Sequence, residues 1–122
     1  MTNVTILPES DETTLCVRMS NRVNAEDYDR FFHQEMKARK EKNGFFNLLV
    51  WYDDSFTGWT ADGADANFKS LAMMGKFSRR AAYINADENK VFLMEITKPI
   101  VNSENRYFNK DQIEEALKWV KG

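Results

Sequence analysis

The sequence predicts a single α/β domain over residues 1–122, with a mixed, mostly parallel five-stranded sheet and about four helices. First, strand-like and helix-like segments alternate after an opening pair of strands, in the order ββαβαβαβα. Second, no repeat and no linker rich in Gly, Ser or Pro divides the chain, and 43% of its residues are hydrophobic. Strands that alternate with helices favour parallel pairing through right-handed crossovers, with helices packed on the sheet.

The chain opens with two strands. Val4–Leu7 is short, β-prone and closed by Pro8, and Leu15–Ser20 alternates large apolar residues with Cys16 and Arg18. The segment between the two strands is polar, which favours an antiparallel hairpin.

The first helix is predicted between Asn24 and Gly44. Asn24 with Asp27 forms a capping pattern, and Asn43-Gly44 is a typical stop. Apolar residues recur between these signals at helical spacing: Tyr28, Phe31, Phe32 and Met36. Phe45–Tyr52 then forms a nearly continuous apolar run, which predicts a strand covered on both faces.

A second helix is predicted from Thr60 to about Gly75, followed by a strand over Arg80–Asn85. The inward face of this helix is expected to carry Ala61, Ala64, Phe68, Leu71 and Ala72. Val91–Ile96 fits either a strand or a buried helix, and we favour a short helix capped by Asp87 and closed by Pro99.

The chain ends with a brief strand and a final helix. The strand covers Asn105–Phe108, and Asn109–Gln112 resembles a capping box at the start of the helix. The inward stripe of this helix is Ile113, Ala116, Leu117 and Val120, with Trp119 beside it.

Composition excludes several classes of function. The 17 basic and 19 acidic residues give a net charge of −2, which does not favour a nucleic-acid partner. Cys16 and His33 are the only residues of their types, so Cys-rich or His-rich metal sites and disulfides within the chain are excluded. No dinucleotide or P-loop motif occurs, and we predict no cofactor and no metal. The absence of a signal peptide and of a 20-residue apolar run predicts a cytoplasmic protein without an integral membrane segment.

The segment from Asp53 to Thr60, after the third predicted strand, is the candidate site. Asp53 and Asp54 supply carboxylates, and Ser55 and Thr60 supply hydroxyl groups at the start of a helix, where a phosphate is favoured. The alternative is structural: Thr60 caps the helix, and the two acids end a strand and form a turn.

Aromatic residues crowd the middle of the chain. Most are expected in the core, whereas Phe56 and Trp59 lie on the predicted loop and are candidates for an apolar ligand or an interface. Exposed aromatic side chains are also compatible with a homodimer.

Five segments together carry a resemblance to a known family. They are Ala25–Tyr28, Leu48–Val50 followed by Asp53, Phe56–Thr60, Arg106–Phe108 and Glu115–Trp119. The chain resembles the SpoIIAA-like family, bacterial proteins related to STAS domains and, in fold, to CRAL-TRIO (Sec14-like) lipid-binding domains.

The resemblance implies a four-helix, five-stranded sandwich without enzymatic activity that acts by binding another protein. In related anti-sigma-factor antagonists a phosphorylatable serine starts the helix after the third strand, and here Thr60 and Ser55 are the candidate phosphoacceptors. The Asp-Ser-Ser/Thr-Gly signature of those antagonists is replaced by Gly58-Trp-Thr-Ala. The sequence therefore predicts a regulatory interaction module with an unknown protein partner; the alternative is a lipid or other apolar ligand in a CRAL-TRIO-like pocket.

Overall fold

The computed structural model describes residues 2–86 and 104–122. Its main sheet has five strands in the order β1-β2-β4-β6-β7. The strands are β1 (Val4–Ile6), β2 (Thr14–Met19), β4 (Phe46–Tyr52), β6 (Ser78–Ile84) and β7 (Glu104–Phe108). β1 is antiparallel to β2 and the other neighbouring pairs are parallel, so the predicted α/β class with a mixed, mostly parallel sheet is confirmed.

A second, two-stranded sheet was not predicted. It pairs β3 (Arg22–Val23) with β5 (Gly58–Trp59) in parallel. Both strands are only two residues long, which is too short for a periodicity to be seen in the sequence.

The first helical segment begins and ends where the sequence predicts. It consists of α1 (Ala25–Tyr28), a π-helical turn (Asp29–His33) and α2 (Gln34–Asn43). The Asn24 side chain accepts a hydrogen bond from the Asp27 N–H at 2.8 Å, and Gly44 ends α2 in the left-handed conformation, with φ of 80°. The π-helical turn was not predicted.

Both faces of β4 are covered, as its apolar run predicts. Leu48, Val50 and Tyr52 belong to the core beneath α1 and α2, and Leu49 belongs to a second core. The second core includes Ala116 and Val120 of the last helix, α4 (Ile113–Lys121). The protein therefore has three layers, with α4 on one side of the sheet and the remaining described helices on the other.

The predicted inward face of the second helix, α3 (Ala61–Phe77), is wrong for four of its five residues, and only Leu71 packs against the core. Phe68 is 71% exposed, and the buried positions are Gly63, Ser70, Met74 and Gly75. The reason is a close approach at the start of the helix, where a Cβ atom on Gly63 would overlap the carbonyl oxygen of Val23. Small residues therefore face inward at the start of the helix, and apolarity alone does not identify this face. α3 also runs to Phe77, and β6 follows directly at Ser78.

The predicted cap of α4 is half formed. The Gln112 side chain accepts a hydrogen bond from the Asn109 N–H at 2.9 Å, but no side chain caps the helix, which begins at Ile113. The prediction for Asp87, Val91–Ile96 and Pro99 lies outside the described residues. Within the described part of the chain, no helix combines the length and the apolarity needed to cross a membrane.

Candidate functional site

The site predicted from the sequence lies where β4 ends and the chain enters α3. We call residues 53–60 the β4–α3 loop; it contains β5. The loop opens with a turn in which the Phe56 N–H donates to the carbonyl of Asp53 at 3.1 Å. Loops at the carboxyl ends of parallel strands are the usual place for ligands and partners in α/β folds.

The carboxylate of Asp53 connects this loop to its neighbours through several hydrogen bonds. One carboxylate oxygen accepts the hydroxyl of Ser20 at 2.6 Å, and the other accepts the N–H and the hydroxyl of Ser55 at 2.9 and 2.5 Å. The Arg18 Nε lies 3.6 Å from the first oxygen. Partial burial acts to raise the pKa of the Asp53 carboxyl, but the hydrogen bonds from Ser20 and Ser55, together with Arg18, hold that pKa below its ordinary value. Asp53 is therefore a fixed anion at neutral pH.

Ser55 joins the β4–α3 loop to the turn after β2. Its hydroxyl donates to Asp53 and accepts the backbone N–H of Asn21 at 3.1 Å. The carbonyl of Asn21 in turn accepts the N–H of Thr57 at 2.7 Å. Ser55 is nevertheless an exposed residue, so a structurally engaged side chain lies at the surface of the loop.

Thr60 caps α3, as the structural alternative predicts. Its hydroxyl oxygen accepts the N–H of Gly63 at 3.1 Å and lies in a short hydrogen bond to the Asp62 carboxylate. That carboxylate also accepts the N–H of Ala25, the first residue of α1, at 3.3 Å. The hydrogen bond from Thr60 lowers the pKa of Asp62. The Asp62 carboxylate thus lies at the N-termini of two helices, α1 and α3, where a negative charge is favoured.

The loop aromatics pack inward. Phe56 and Trp59 are both half-buried and contact the core beneath α3. Their ring centroids are 5.4 Å apart in an edge-to-face arrangement, and the Phe56 ring lies 4.9 Å from the buried ring of Tyr52. The rings therefore anchor the loop, and the more exposed part of its surface is formed by Asp54, Ser55 and Thr57.

Lys110, which follows β7, completes this edge of the sheet. Its Nζ lies 3.6 Å from an Asp54 carboxylate oxygen, and the Asn85 amide donates to the other oxygen at 3.4 Å. An open cleft of about 480 Å3 lies between Lys110 and the β4–α3 loop, lined also by Trp51. A second cleft, of about 530 Å3, lies on the other side of Lys110, next to Asn85 and Tyr107.

The residues with nucleophilic or basic side chains that the sequence singles out lie away from this loop. Cys16 is fully buried in the core beneath α4, and burial raises the pKa of its thiol to about 11. His33 lies in the π-helical turn, with its Nδ1 2.9 Å from the hydroxyl of Ser70, which is itself 1% exposed. Among residues 2–86 and 104–122, no three His, Cys, Asp or Glu side chains are grouped so as to hold a metal ion.

Sequence reasoning identified the residues of the loop but not their partners. Ser20, Asn21, Asn85 and Lys110 all lie in other turns of the chain. One signal was available in the sequence: both Asn21 and Asn85 come at the ends of β-prone segments, and asparagine tolerates positive φ values in turns. In the structure their φ values are 52° and 61°.

Comparison with known proteins agrees with this architecture. The chain matches the sequence model of the SpoIIAA-like family over residues 14–121. It also superposes on the crystal structure of an uncharacterised protein of the DUF3478 family, with a SpoIIAA-like fold, from Shewanella loihica PV-4. That match has a TM-score of 0.69 at 18% identity and covers 98% of this chain and 95% of the other. No curated protein matches the chain. The chain belongs to the SpoIIAA-like family.

Proposed function

We propose that this protein is a regulatory protein-interaction module of the STAS type, and that the β4–α3 loop is its partner surface. Family membership supports the general class. The observation that supports the loop is Ser55, an exposed residue whose hydroxyl holds the loop to Asp53 and to the Asn21 turn. A modification of one accessible hydroxyl would therefore change the shape and the charge of a whole surface.

The geometry favours Ser55 over Thr60 as the phosphoacceptor. The hydroxyl of Thr60 caps α3, and the side chain is half-buried beside the carboxylate of Asp62. A phosphate there would remove the cap and stand next to a fixed negative charge. Ser55 is exposed, and its modification leaves the cap of α3 in place.

Phosphorylation of Ser55 would add about −1.5 to −2 charges at neutral pH. The hydroxyl proton that now bonds Asp53 would be lost, and the new charge would repel the carboxylates of Asp53 and Asp54. Arg18 and Lys110, each 3.6 Å from one of these carboxylates, are the cations placed to re-pair with the phosphate. The modified loop would present a different charge pattern, and a partner that reads the unmodified surface would be released.

Affinity capture from a lysate of the native host tests the surface. Wild-type protein, Ser55→Ala and Ser55→Glu are used as baits, and the captured proteins are identified by mass spectrometry. We expect at least one protein that is captured by the wild type and lost with Ser55→Glu. The matched control is Thr13→Glu, because the Thr13 N–H and hydroxyl bond the Asp11 carboxylate in the same way, at 2.9 and 3.2 Å, before β2. Equal capture by all four baits would contradict the proposed surface.

Intact-mass analysis and peptide mapping of protein isolated from the native host test the switch separately. We expect a phosphorylated fraction that maps to Ser55. A phosphate that maps to Thr60, or no phosphorylated fraction under any growth condition, would refute the assignment of Ser55 while leaving the capture experiment informative about the surface.

Binding of a lipid or another apolar molecule stays a prediction from the resemblance. Such a ligand needs an enclosed apolar cavity of about 300 Å3 or more. The two clefts beside Lys110 are open and lined by charged and amide side chains such as Asp54, Asn85 and Asp111, so they do not favour this alternative.

A further inference from the structure

The amino edge of the parallel sheet, opposite the β4–α3 loop, carries a cluster of cations stacked on aromatic rings. The Nζ atoms of Lys40 and Lys76 lie 4.8 and 5.4 Å from the centroid of the Phe77 ring. The guanidinium carbon of Arg79 lies 3.6 Å from the centroid of the Phe45 ring. We call these five residues the basic edge. Lys76 and Arg79 are exposed, and the other three are half-buried.

The chain fold brings these residues together. Lys40 belongs to the last turn of α2 and Lys76 to the last turn of α3. Phe77 and Arg79 flank Ser78, and the Cα atom of Ser78 is paired with that of Phe46, the neighbour of Phe45. The cluster is therefore one continuous surface at the starts of β4 and β6.

Three acids near this edge are already paired with other bases. Glu12 pairs with Lys42 at 3.0 Å, Asp11 with Lys121 at 3.6 Å, and Glu104 with Arg80 at 3.8 Å. Over residues 2–86 and 104–122, no carboxylate lies within ion-pairing distance of the three cations of the basic edge.

The negative ends of the helix dipoles offset only part of the positive charge of the basic edge. The C-termini of α2 and α3 each carry about −0.5 of an elementary charge, or about −1 together, against three full positive charges. Lys40 and Lys76 share one ring, so their ammonium groups are held within about one Debye length, roughly 10 Å at 0.1 M salt. The edge therefore has an excess of positive charge, and its aromatic rings restrict the positions of the cations.

We propose that the basic edge is a second docking surface, and that it binds an acidic segment of a partner protein. Carboxylates of such a segment would pair with Lys40, Lys76 and Arg79, and the rings of Phe45 and Phe77 would hold the cations in place. A membrane surface fits less well, because binding to anionic lipid typically uses about four to eight clustered cations or inserted apolar side chains. The large apolar residues that are most exposed in the described chain, Phe68, Ile6 and Tyr107, lie outside this cluster.

The test is binding of a short fluorescein-labelled peptide of Glu and Ser, followed by fluorescence anisotropy, with a Gln and Ser peptide as the uncharged comparison. We expect the folded wild-type protein to bind only the acidic peptide, and to bind it more weakly when salt is raised from about 50 to 300 mM. The triple variant Lys40→Gln, Lys76→Gln, Arg79→Gln should bind about tenfold or more weakly.

A matched triple variant, Arg30→Gln, Lys69→Gln, Lys118→Gln, removes the same number of Arg and Lys charges from other exposed positions. It should bind the acidic peptide like the wild type. Thermal melts of both triple variants, and of Lys40→Gln, Lys76→Gln and Arg79→Gln made singly, distinguish a loss of folding from a loss of binding. No binding by the wild type, equal losses in the two triple variants, or binding only to phosphatidylglycerol vesicles would each overturn the proposal.

Discussion

The substitution Asp53→Asn tests whether the carboxylate of Asp53 holds the β4–α3 loop in place. The amide keeps the size of the side chain, but one of its two terminal atoms can no longer accept a hydrogen bond. The variant therefore loses either the bond from Ser20, at 2.6 Å, or the pair from Ser55, at 2.9 and 2.5 Å. It also loses the charge facing Arg18.

The expected cost follows from the number of bonds and from exposure. A hydrogen bond to a charged group contributes about 1.5–3 kcal/mol when it is sheltered from water. The Asp53 side chain is 20% exposed, and water replaces part of the loss. We therefore expect the free energy of unfolding to fall by about 1–2 kcal/mol, and the Tm by about 3–8 °C for a chain of this size.

The pH dependence gives the sign of the effect. The pKa of Asp53 is lowered in the folded protein, so its contribution to stability is complete above the unfolded pKa of about 3.9 and is lost as the pH falls through the folded value. The difference between wild type and Asp53→Asn should be constant between about pH 6 and 7 and shrink below about pH 4. Urea denaturation followed by tryptophan fluorescence at several pH values measures it.

The neighbouring acid provides the control. Asp54 is exposed, and its contacts with Asn85 and Lys110 are long, at 3.4 and 3.6 Å. Asp54→Asn should change stability by no more than about 0.5 kcal/mol. Equal effects of the two substitutions, or a difference that persists unchanged at low pH, would refute the role assigned to Asp53.

Three further predictions concern the start of α3 and the core beneath α4. Gly63→Ala should destabilise the protein because the new Cβ would overlap the Val23 carbonyl. This overlap should outweigh the better helix propensity of alanine, which is worth about 1 kcal/mol. A urea midpoint at or above that of the wild type would contradict this prediction. Thr60→Ala should cost about 1 kcal/mol through loss of the α3 cap, and Thr60→Ser should restore most of it in the same assay. Cys16 is fully buried, and burial raises the pKa of its thiol to about 11. It should therefore react with iodoacetamide at pH 8 only in urea, as measured by mass spectrometry. Rapid labelling of the folded protein would count against the buried position of Cys16.

The parts of the fold that the sequence predicted depend on local signals. Asn24 caps the first helix and Gly44 ends it through contacts within a few residues, so neighbouring positions were sufficient to place both ends. The two-sided burial of β4 also followed from its own composition, because only a strand between two helical layers needs apolar residues on both faces. These elements were therefore predicted almost to the residue.

The face of α3 and the partners of the site depend on contacts distant in sequence. Gly63 faces inward because β3, about forty positions earlier in the chain, passes against it, and Phe68 is consequently turned to solvent. In the same way, the sequence predicts the capping role of Thr60 from its neighbours, but it does not show what Ser55 contacts. The contact of Ser55 with the Asn21 turn joins residues 34 positions apart, so it is not visible in the local sequence. Local periodicity carries no information about such approaches.

The net charge of −2 predicts that nucleic acid is not a partner, but this total does not describe how the charges are distributed over the surface. The described crossover helices and α4 run against the parallel strands, so their N-termini meet the carboxyl edge of the sheet and their C-termini meet the amino edge. Helix dipoles favour acids in first turns and bases in last turns, as with Asp62 and Lys76 at the two ends of α3. The helix ends therefore favour acids on the edge that holds the β4–α3 loop and bases on the opposite edge, and ion pairs such as Lys110–Asp54 and Arg80–Glu104 add charges of the other sign to each. A chain that is nearly neutral in total can thus offer two surfaces of opposite sign, and a charge count would exclude acidic partners only if the charges were spread evenly.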